Sequence, residues 1–391
     1  MLVTNNSDLN KLSYGFGILF LMGAGIQQFL TPYFINIGMP EMGFHMLIII
    51  YSFILLTNFF APPIIVKYGA KQLIVLSATI YIISCSIVLI EQKCLIYIAA
   101  ITFGVAGAFL WLSQNSYIIQ ISKPETMGKN SGFFMAIYSL GSSLASLVLG
   151  YLICFCGYQK AFSIILIISI LSILLFIKLK SISSVSKSPE VLQIFKMFKS
   201  KTLIICSLTS FSSYYIFGIF ISKIPLHIQN IFLDEKYIGI LSSMFYIMPI
   251  LISGYVGKKS DSIGRETIVF IGYSIMIIGL ILLIFSNNRY FLFFGIFTLS
   301  ISFSILTPIA MALPGDINSN DNLEYITGMF MLLKYLGIIS GVSAGYTLHF
   351  DKLYLFSIAL IFIVLVLSVL SFYKGLSYAK EKIQIELINC T

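Results

Sequence analysis

Gly257-Lys258-Lys259-Ser260-Asp261-Ser262-Ile263-Gly264-Arg265-Glu266 is a polar island carrying five charges, set between apolar runs at 238–256 and 267–285. A second, plainer copy, Pro62-Pro63-Ile64-Ile65-Val66-Lys67-Tyr68-Gly69-Ala70-Lys71, lies 195 residues earlier. Aligning Gly69 with Gly264 puts Val66 where Asp261 stands and Pro62 where Gly257 stands. Working outward, apolar runs fall near 14–34, 44–66, 73–90, 95–121, 132–155 and 161–177, then near 203–221, 238–256, 267–285, 290–313, 325–348 and 353–372. Each copy of the island follows the second run of its set of six. The chain therefore reads as a duplication, and parallel repeats of this kind build several membrane-transport folds.

Composition fixes the solvent. Of 391 residues, 58% are hydrophobic and 10% charged, against roughly a quarter charged in a soluble domain, and the mean hydropathy is +0.98. Runs of about twenty apolar residues are long enough to cross a bilayer at 1.5 Å per residue. The fold class expected is an all-α membrane protein of twelve transmembrane helices in two six-helix halves. The first run follows a mostly polar leader with Lys11 and has neither a charged n-region nor a clear cleavage site, so it is expected to be a retained helix.

The segment Lys178 to Thr202 holds six lysines at the midpoint of the chain. It divides an N-terminal half, 1–180, from a basic linker, 181–200, and a C-terminal half with a short tail, 201–391. Positive residues are retained on the cytoplasmic side. With the N-terminus inside, the tails and inner loops hold 17 Lys or Arg and the outer loops 6, leaving Lys334 alone within a span. Both termini are expected in the cytoplasm, with the plasma membrane as the destination.

The net charge of +9 is spread over short loops, not gathered on a soluble face, which argues against a nucleic-acid partner. Six cysteines (85, 94, 154, 156, 206, 390) form no CxxC pair, so no metal site is assigned; Cys94, Cys154 and Cys156 fall on one membrane side, where a disulfide is the less expected outcome. His45, His227 and His349 lie near span ends, which suggests interfacial placement. Gly257-Lys258-Lys259-Ser260 is not a phosphate-binding loop, because that pattern needs Gly at 252, which is Ile, and a hydroxyl at 259, which is Lys. Nothing resembles HExxH, GxSxG or a catalytic carboxylate pair, so an enzyme and a cofactor are not expected.

The island resembles the G-x-x-x-D-x-x-G-R loop between helices 8 and 9 of the major facilitator superfamily. That resemblance implies the two-halves fold and a gating role for Asp261, Gly264 and Arg265, since a carboxylate is favoured at a helix N-terminus; the oligomeric state stays open, with a monomer favoured. The alternative is that these are retained interfacial charges. Gly107-Ala108-Phe109-Leu110-Trp111-Leu112-Ser113-Gln114-Asn115-Ser116-Tyr117, followed by Gly132-Phe133-Phe134-Met135, is similar to the uncoordinated-93-like branch of the superfamily, with Asn115 where that branch usually has Gly.

Polar residues inside a bilayer must find partners away from lipid. The resemblance implies that spans 1, 4, 7 and 10 line a central cavity, and each carries a polar stripe. The substrate-binding candidates are Gln27 on span 1, Trp111, Gln114 and Asn115 on span 4, Tyr214 on span 7 and Ser304 on span 10. Small hydroxyl residues are equally what membrane helices use to pack together, so Ser207, Ser210, Ser300, Ser304 and Thr307 remain open between packing and lining. Lys334 lies about ten residues into its span, roughly 15 Å deep and too far to snorkel fully. No Asp or Glu lies well inside any span, so this cation must lose its proton, meet water or receive an anion; to reach a cavity its stem must pass Gly341 or Thr327. The function expected is alternating-access transport of a small polar or anionic organic solute, with facilitated diffusion, exchange or coupling through Lys334 all open. A non-transporting protein that regulates other membrane proteins is the alternative.

Overall fold

The computed structural model describes residues 6–122, 127–181, 197–317 and 323–372. Among them are thirteen α-helices: α1 (Asn6–Asn36), α2 (Met42–Tyr68), α3 (Ala70–Val88), α4 (Lys93–Ile121), α5 (Met127–Cys156), α6 (Tyr158–Ile177), α7 (Lys201–Ser222), α8 (Ile224–Phe232), α9 (Glu235–Ile263), α10 (Arg265–Ile284), α11 (Arg289–Ile317), α12 (Leu323–Thr347) and α13 (Phe350–Phe372). All but α8 are long and apolar enough to cross a membrane, which gives the twelve spans.

The spans run past their apolar cores. α1 begins at Asn6 and α9 continues to Ile263, so most of the charged island is helix. Nothing in Gly257–Ile263 breaks a helix until Gly264, whose φ of 102° only glycine adopts readily. Gly69, its counterpart in the first copy, has φ 87° and joins α2 to α3 as Gly264 joins α9 to α10. The two copies share one backbone hinge although their side chains have diverged. The short helix α8 is absent from the sequence expectation because nine residues are too few for a membrane-length apolar run.

The helices fall into two compact units. The first holds α1 to α6 together with α9 up to Ile247, and the second holds α7, α8 up to Ile231, α9 from Met248, and α10 to α13. The linker expected over 181–200 lies, for 182–196, outside the described residues. Ser200 at its end accepts a 3.1 Å hydrogen bond from the Leu203 N–H and so caps α7.

Within the first unit α1 packs on α5 and α6, and α4 on α2 and α3. A Cβ on Gly150 of α5 would lie 3.0 Å from the Gly239 Cα of α9, and the Ser143 hydroxyl donates to the Ser243 carbonyl at 3.1 Å. Within the second unit the closest pair is α7 with α12, where Gly218 of α7 faces Gly341 of α12 at a distance that leaves no room for a side chain. Small residues at such crossings let dispersion and backbone contacts replace the hydrophobic drive that lipid does not supply.

Candidate functional site

In the first unit, the spacing of α1 places Phe16, Phe20 and Gln27 on one face, since 40° and 20° separate Phe20 and Gln27 from Phe16 at about 100° per residue. Trp111 of α4 meets that face, its ring 5.8 Å from Phe16 and 5.4 Å from Phe20, with Tyr138 of α5 edge-on at 5.1 Å and Phe134 at 6.4 Å. Gln27 Oε1 accepts a 3.1 Å hydrogen bond from the Tyr51 hydroxyl of α2.

Helical phase separates the three polar candidates of α4. Trp111 is half-buried and Asn115, one turn on, is exposed, whereas Gln114 is 2% exposed. Gln114 Oε1 and the neighbouring Ser113 hydroxyl are buried without hydrogen-bond partners. Trp111 and Asn115 thus share one face, and Gln114 points into the packed unit. Tyr51 and Tyr138 are partners that sequence reading missed. Tyr138 follows Phe134 by four residues, a spacing that places both on one face of α5.

In the second unit Lys334 of α12 is half-buried, with its Nζ 4.6 Å from the centre of the Tyr214 ring on α7 and 5.4 Å from that of Tyr335. Tyr214 stands edge-on to Phe303 of α11 at 5.6 Å. The approach depends on glycine: a Cβ on Gly337 would fall 3.0 Å from the Phe211 carbonyl carbon, so α12 lies close enough to α7 for a lysine one turn away to cover Tyr214. Among the described residues Lys334 makes no ion pair with a carboxylate. Ser304 is fully buried; its hydroxyl donates to the Ser300 carbonyl at 2.7 Å, and its own carbonyl accepts from Ser253 at 3.1 Å. Ser207 and Ser300 likewise donate to their own helices, and Thr307 Oγ1 is buried without a partner.

At the hinge, Gly264 precedes Arg265, whose Nε donates to Asp316 Oδ2 at 2.8 Å and whose Nη1 contacts the Ser260 hydroxyl. The guanidinium therefore ties the ends of α9 and α11. Asp261 stands in the last turn of α9, and its side chain lies outside the described residues.

His227, just beyond the end of α7, is buried within the second unit. It is 5% exposed, hydrogen-bonded through Nδ1 to the Tyr354 hydroxyl at 2.7 Å and through Nε2 to the Ser286 hydroxyl at 3.1 Å, and stacked on Phe350 at 4.2 Å. Lying near a span end does not prevent burial, because Phe350 and Tyr354 of α13 cover the His227 ring. Burial pushes the imidazole down to about 4, with Asp351 opposing and Lys223 adding, and burial also lowers Lys223 itself. The five cysteines among the described residues are free thiols, and Cys390 lies outside them. Cys154 donates to Asp234 Oδ1 at 2.9 Å, and this bond, followed by Lys236, holds the Asp234 carboxyl below its usual range.

The hinge-linked repeat and the membrane-length helices define an integral, multi-pass membrane protein of duplicated design, in which a half-buried lysine stands beside aromatic rings. The chain matches the Major Facilitator Superfamily over residues 13–232 and again over 203–388, and it belongs to that superfamily. Over 134 residues, 33% of the chain, it is 28% identical to the UNC93-like protein MFSD11 of Xenopus tropicalis and 26% identical to that of Xenopus laevis. The match spans 30% of those relatives' own length. Its fold superposes on the nucleoside transporter NupG with a TM-score of 0.75 at 15% identity, covering 94% of this chain and 99% of that one. A bacterial homologue of the human drug peptide transporters PepT1 and PepT2 gives 0.73 at 10% identity, covering 95% and 98%. At these identities the likeness to the solved transporters is one of fold.

Proposed function

We propose that this protein is a secondary transporter that moves a small organic solute bearing a carboxylate or other anionic group, by alternating access of two halves, 1–180 and 201–391, joined by the basic linker 181–200. The observation that carries the reading is the Lys334 ammonium over the Tyr214 ring with no carboxylate beside it among the described residues. A lysine at the centre of a membrane helix costs about 2.5–3.5 kcal/mol on insertion scales, and a cation–π contact returns about 0.5–2 kcal/mol. The balance is unfavourable, and an anionic solute would correct it. In the second unit Tyr214 offers an aromatic face beside Lys334, and Ser304, turned into packing, has a supporting role; the first unit, by itself, carries the candidates Trp111 as an aromatic face and Gln27 and Asn115 as hydrogen-bonding groups, with Gln114 turned into packing. Asp261, Gly264 and Arg265 form the gate. The termini face the cytoplasm of a plasma-membrane protein that works as a monomer.

The test begins with thermal shift of the purified protein against carboxylates and phosphates, followed by uptake of any hit. Lys334→Met is expected to abolish uptake at matched surface expression and Lys334→Arg to retain part of it; wild-type uptake by Lys334→Met refutes the anion site. A second reading, a non-transporting regulator of other membrane proteins, draws support from the aromatic rings of Phe16, Phe20, Phe134 and Tyr138 packed around Trp111. Stabilisation by a partner membrane protein with no response to any solute would favour it.

A further inference from the structure

Outside the transport site, the first unit gathers a mixed set of metal-ligating groups where α5 ends and α9 begins. Cys154 Sγ and carboxylate oxygens of Asp234 and Glu235 all lie within 4.8 Å of one another. They come from two segments 80 residues apart. Asp234 caps α9, accepting the Lys236 N–H at 3.0 Å, which fixes one ligand and starts the helix that carries the next. Gly157, at φ 78°, turns the chain from α5 into α6 and returns Tyr158 to the same end.

Tyr158 supplies the independent sign. Its side chain is 7% exposed, its ring packs on Tyr33 at 5.7 Å and Phe162 at 6.0 Å, and its hydroxyl is buried with no hydrogen-bond partner. Glu235 and Cys154 lie within electrostatic reach of that hydroxyl. A buried, unpartnered phenol hydroxyl is unfavourable and calls for a partner. The ionisable groups it feels are a carboxylate and a thiol, the two kinds that a metal ion would reorganise.

We propose that Cys154, Asp234 and Glu235 form a binding site for a thiophilic divalent cation of the zinc class, with Tyr158 as a hydrogen-bond donor to the bound carboxylate or to a metal-bound water. One thiolate with two carboxylates suits Zn²⁺ and disfavours Mg²⁺ and Ca²⁺, which take oxygen ligands. Tetrahedral bonds of 2.0–2.3 Å need donor atoms roughly 3.4–3.8 Å apart, so side-chain rotations bring this set into range. Binding replaces the Cys154–Asp234 hydrogen bond; the thiol proton leaves to water and nothing is oxidised or reduced. Lys236, now 2.6 Å from Asp234 Oδ2, stays as the balancing charge. Three anionic ligands, a dication and one ammonium sum to zero. The bound ion would clamp the end of α5 to the start of α9. The site stands whatever the transported solute is.

The experiment uses the full chain, purified under reducing conditions, and titrates it with Co²⁺ and Zn²⁺. One Co²⁺ per chain should produce a thiolate-to-cobalt charge-transfer band that Zn²⁺ displaces. Zn²⁺ should also protect Cys154 from alkylation, read peptide by peptide, while leaving the exposed Cys94 reactive. Cys154→Ser should abolish the band, Asp234→Asn and Glu235→Gln should each weaken Zn²⁺ at least about tenfold, and Tyr158→Phe should keep the band with about 10–100-fold weaker binding, as for other outer-shell partners. A band that persists in Cys154→Ser, or alkylation of Cys154 unaffected by Zn²⁺ in the wild type, overturns the site. Carboxylate variants with wild-type affinity do so equally, since they would leave a lone cysteine as the ligand.

Discussion

Gly341→Ala tests the closest helix contact of the second unit. A Cβ on Gly341 would lie 3.0 Å from the Tyr215 carbonyl carbon and 3.1 Å from the Ile219 nitrogen, with the Tyr215 carbonyl oxygen nearer still. Carbon atoms in good contact stand about 3.5–4.0 Å apart, so the carbonyl carbon alone requires α7 and α12 to separate by at least about half an ångström, and the nearer carbonyl oxygen requires more. The obstructing atoms are backbone and cannot rotate away, which places the cost at the upper end of the ~1–3 kcal/mol typical of overpacking. Alanine recovers about 0.8–1.0 kcal/mol of helix propensity over glycine. The net expectation is a loss of roughly 1–2 kcal/mol. Gly254 is the control: no atom lies within 4 Å of its would-be Cβ, so Gly254→Ala should be neutral or stabilising by up to about 1 kcal/mol. Cys206, fully buried on α7, gives the readout. Its alkylation during a thermal ramp in detergent reports opening of this unit, with the buried Cys85 reporting the other. Gly341→Ala opening at or above the temperature of Gly254→Ala would refute the tight α7–α12 approach, and with it the route by which Lys334 reaches Tyr214.

Three further expectations concern acid stability, topology and the hinge. His227, held down to about 4 in the fold against 6.5 unfolded, favours the neutral form. Its contribution is complete above pH 6.5 and is lost as pH falls from there to 4, by about 3 kcal/mol in all; His227→Gln, which cannot protonate, should flatten melting temperature across that window, and an unchanged acid slope would sink the assignment. Reporter fusions at Lys187 and after Lys382 should report cytoplasm and those at Glu41 and Asn288 the opposite side, since 17 Lys or Arg oppose 6; an external signal at either of the first two contradicts the orientation. Asp261→Asn should shift the balance of inward- and outward-facing states, read by cysteine accessibility, while leaving the protein folded, because the Arg265–Asp316 pair remains and partly exposed pairs are worth only about 0–1 kcal/mol. Unchanged accessibility and transport would leave the island a topological signal only.

The fold was legible because lipid leaves a polypeptide few options. Every buried N–H and C=O must pair within its own segment, so twenty apolar residues between charged stops can only be a helix, and the twelve runs counted from sequence are the twelve membrane-length helices observed. Helix ends were less legible. The residues of Gly257–Ile263 are polar, but polarity does not stop a helix that has already left the bilayer, and only Gly264 does. Short α8 was invisible for the opposite reason: its nine residues are stabilised by the surfaces they cover, around His227 and Tyr354, and not by any periodicity long enough to read.

The candidate site divides along the same line between what a single helix encodes and what two helices encode together. Helical phase could place Trp111, Gln114 and Asn115 near one another, but it could not say which side of α4 faces its neighbours. A 60° step separates the half-buried tryptophan from a glutamine that is 2% exposed. Lys334 could be identified as an isolated cation from sequence, because an intramembrane lysine needs no partner to be conspicuous. Its reach could not be derived, because Thr327 and Gly341 bound the face while Gly337, three residues on, sets the separation of α12 from α7. Once that separation is known, the tyrosine at 214 is the first ring the ammonium meets. The residue that makes Lys334 a candidate for anion recognition is therefore a glycine with no polar chemistry of its own, and the test of the site is as much a test of that packing as of the charge.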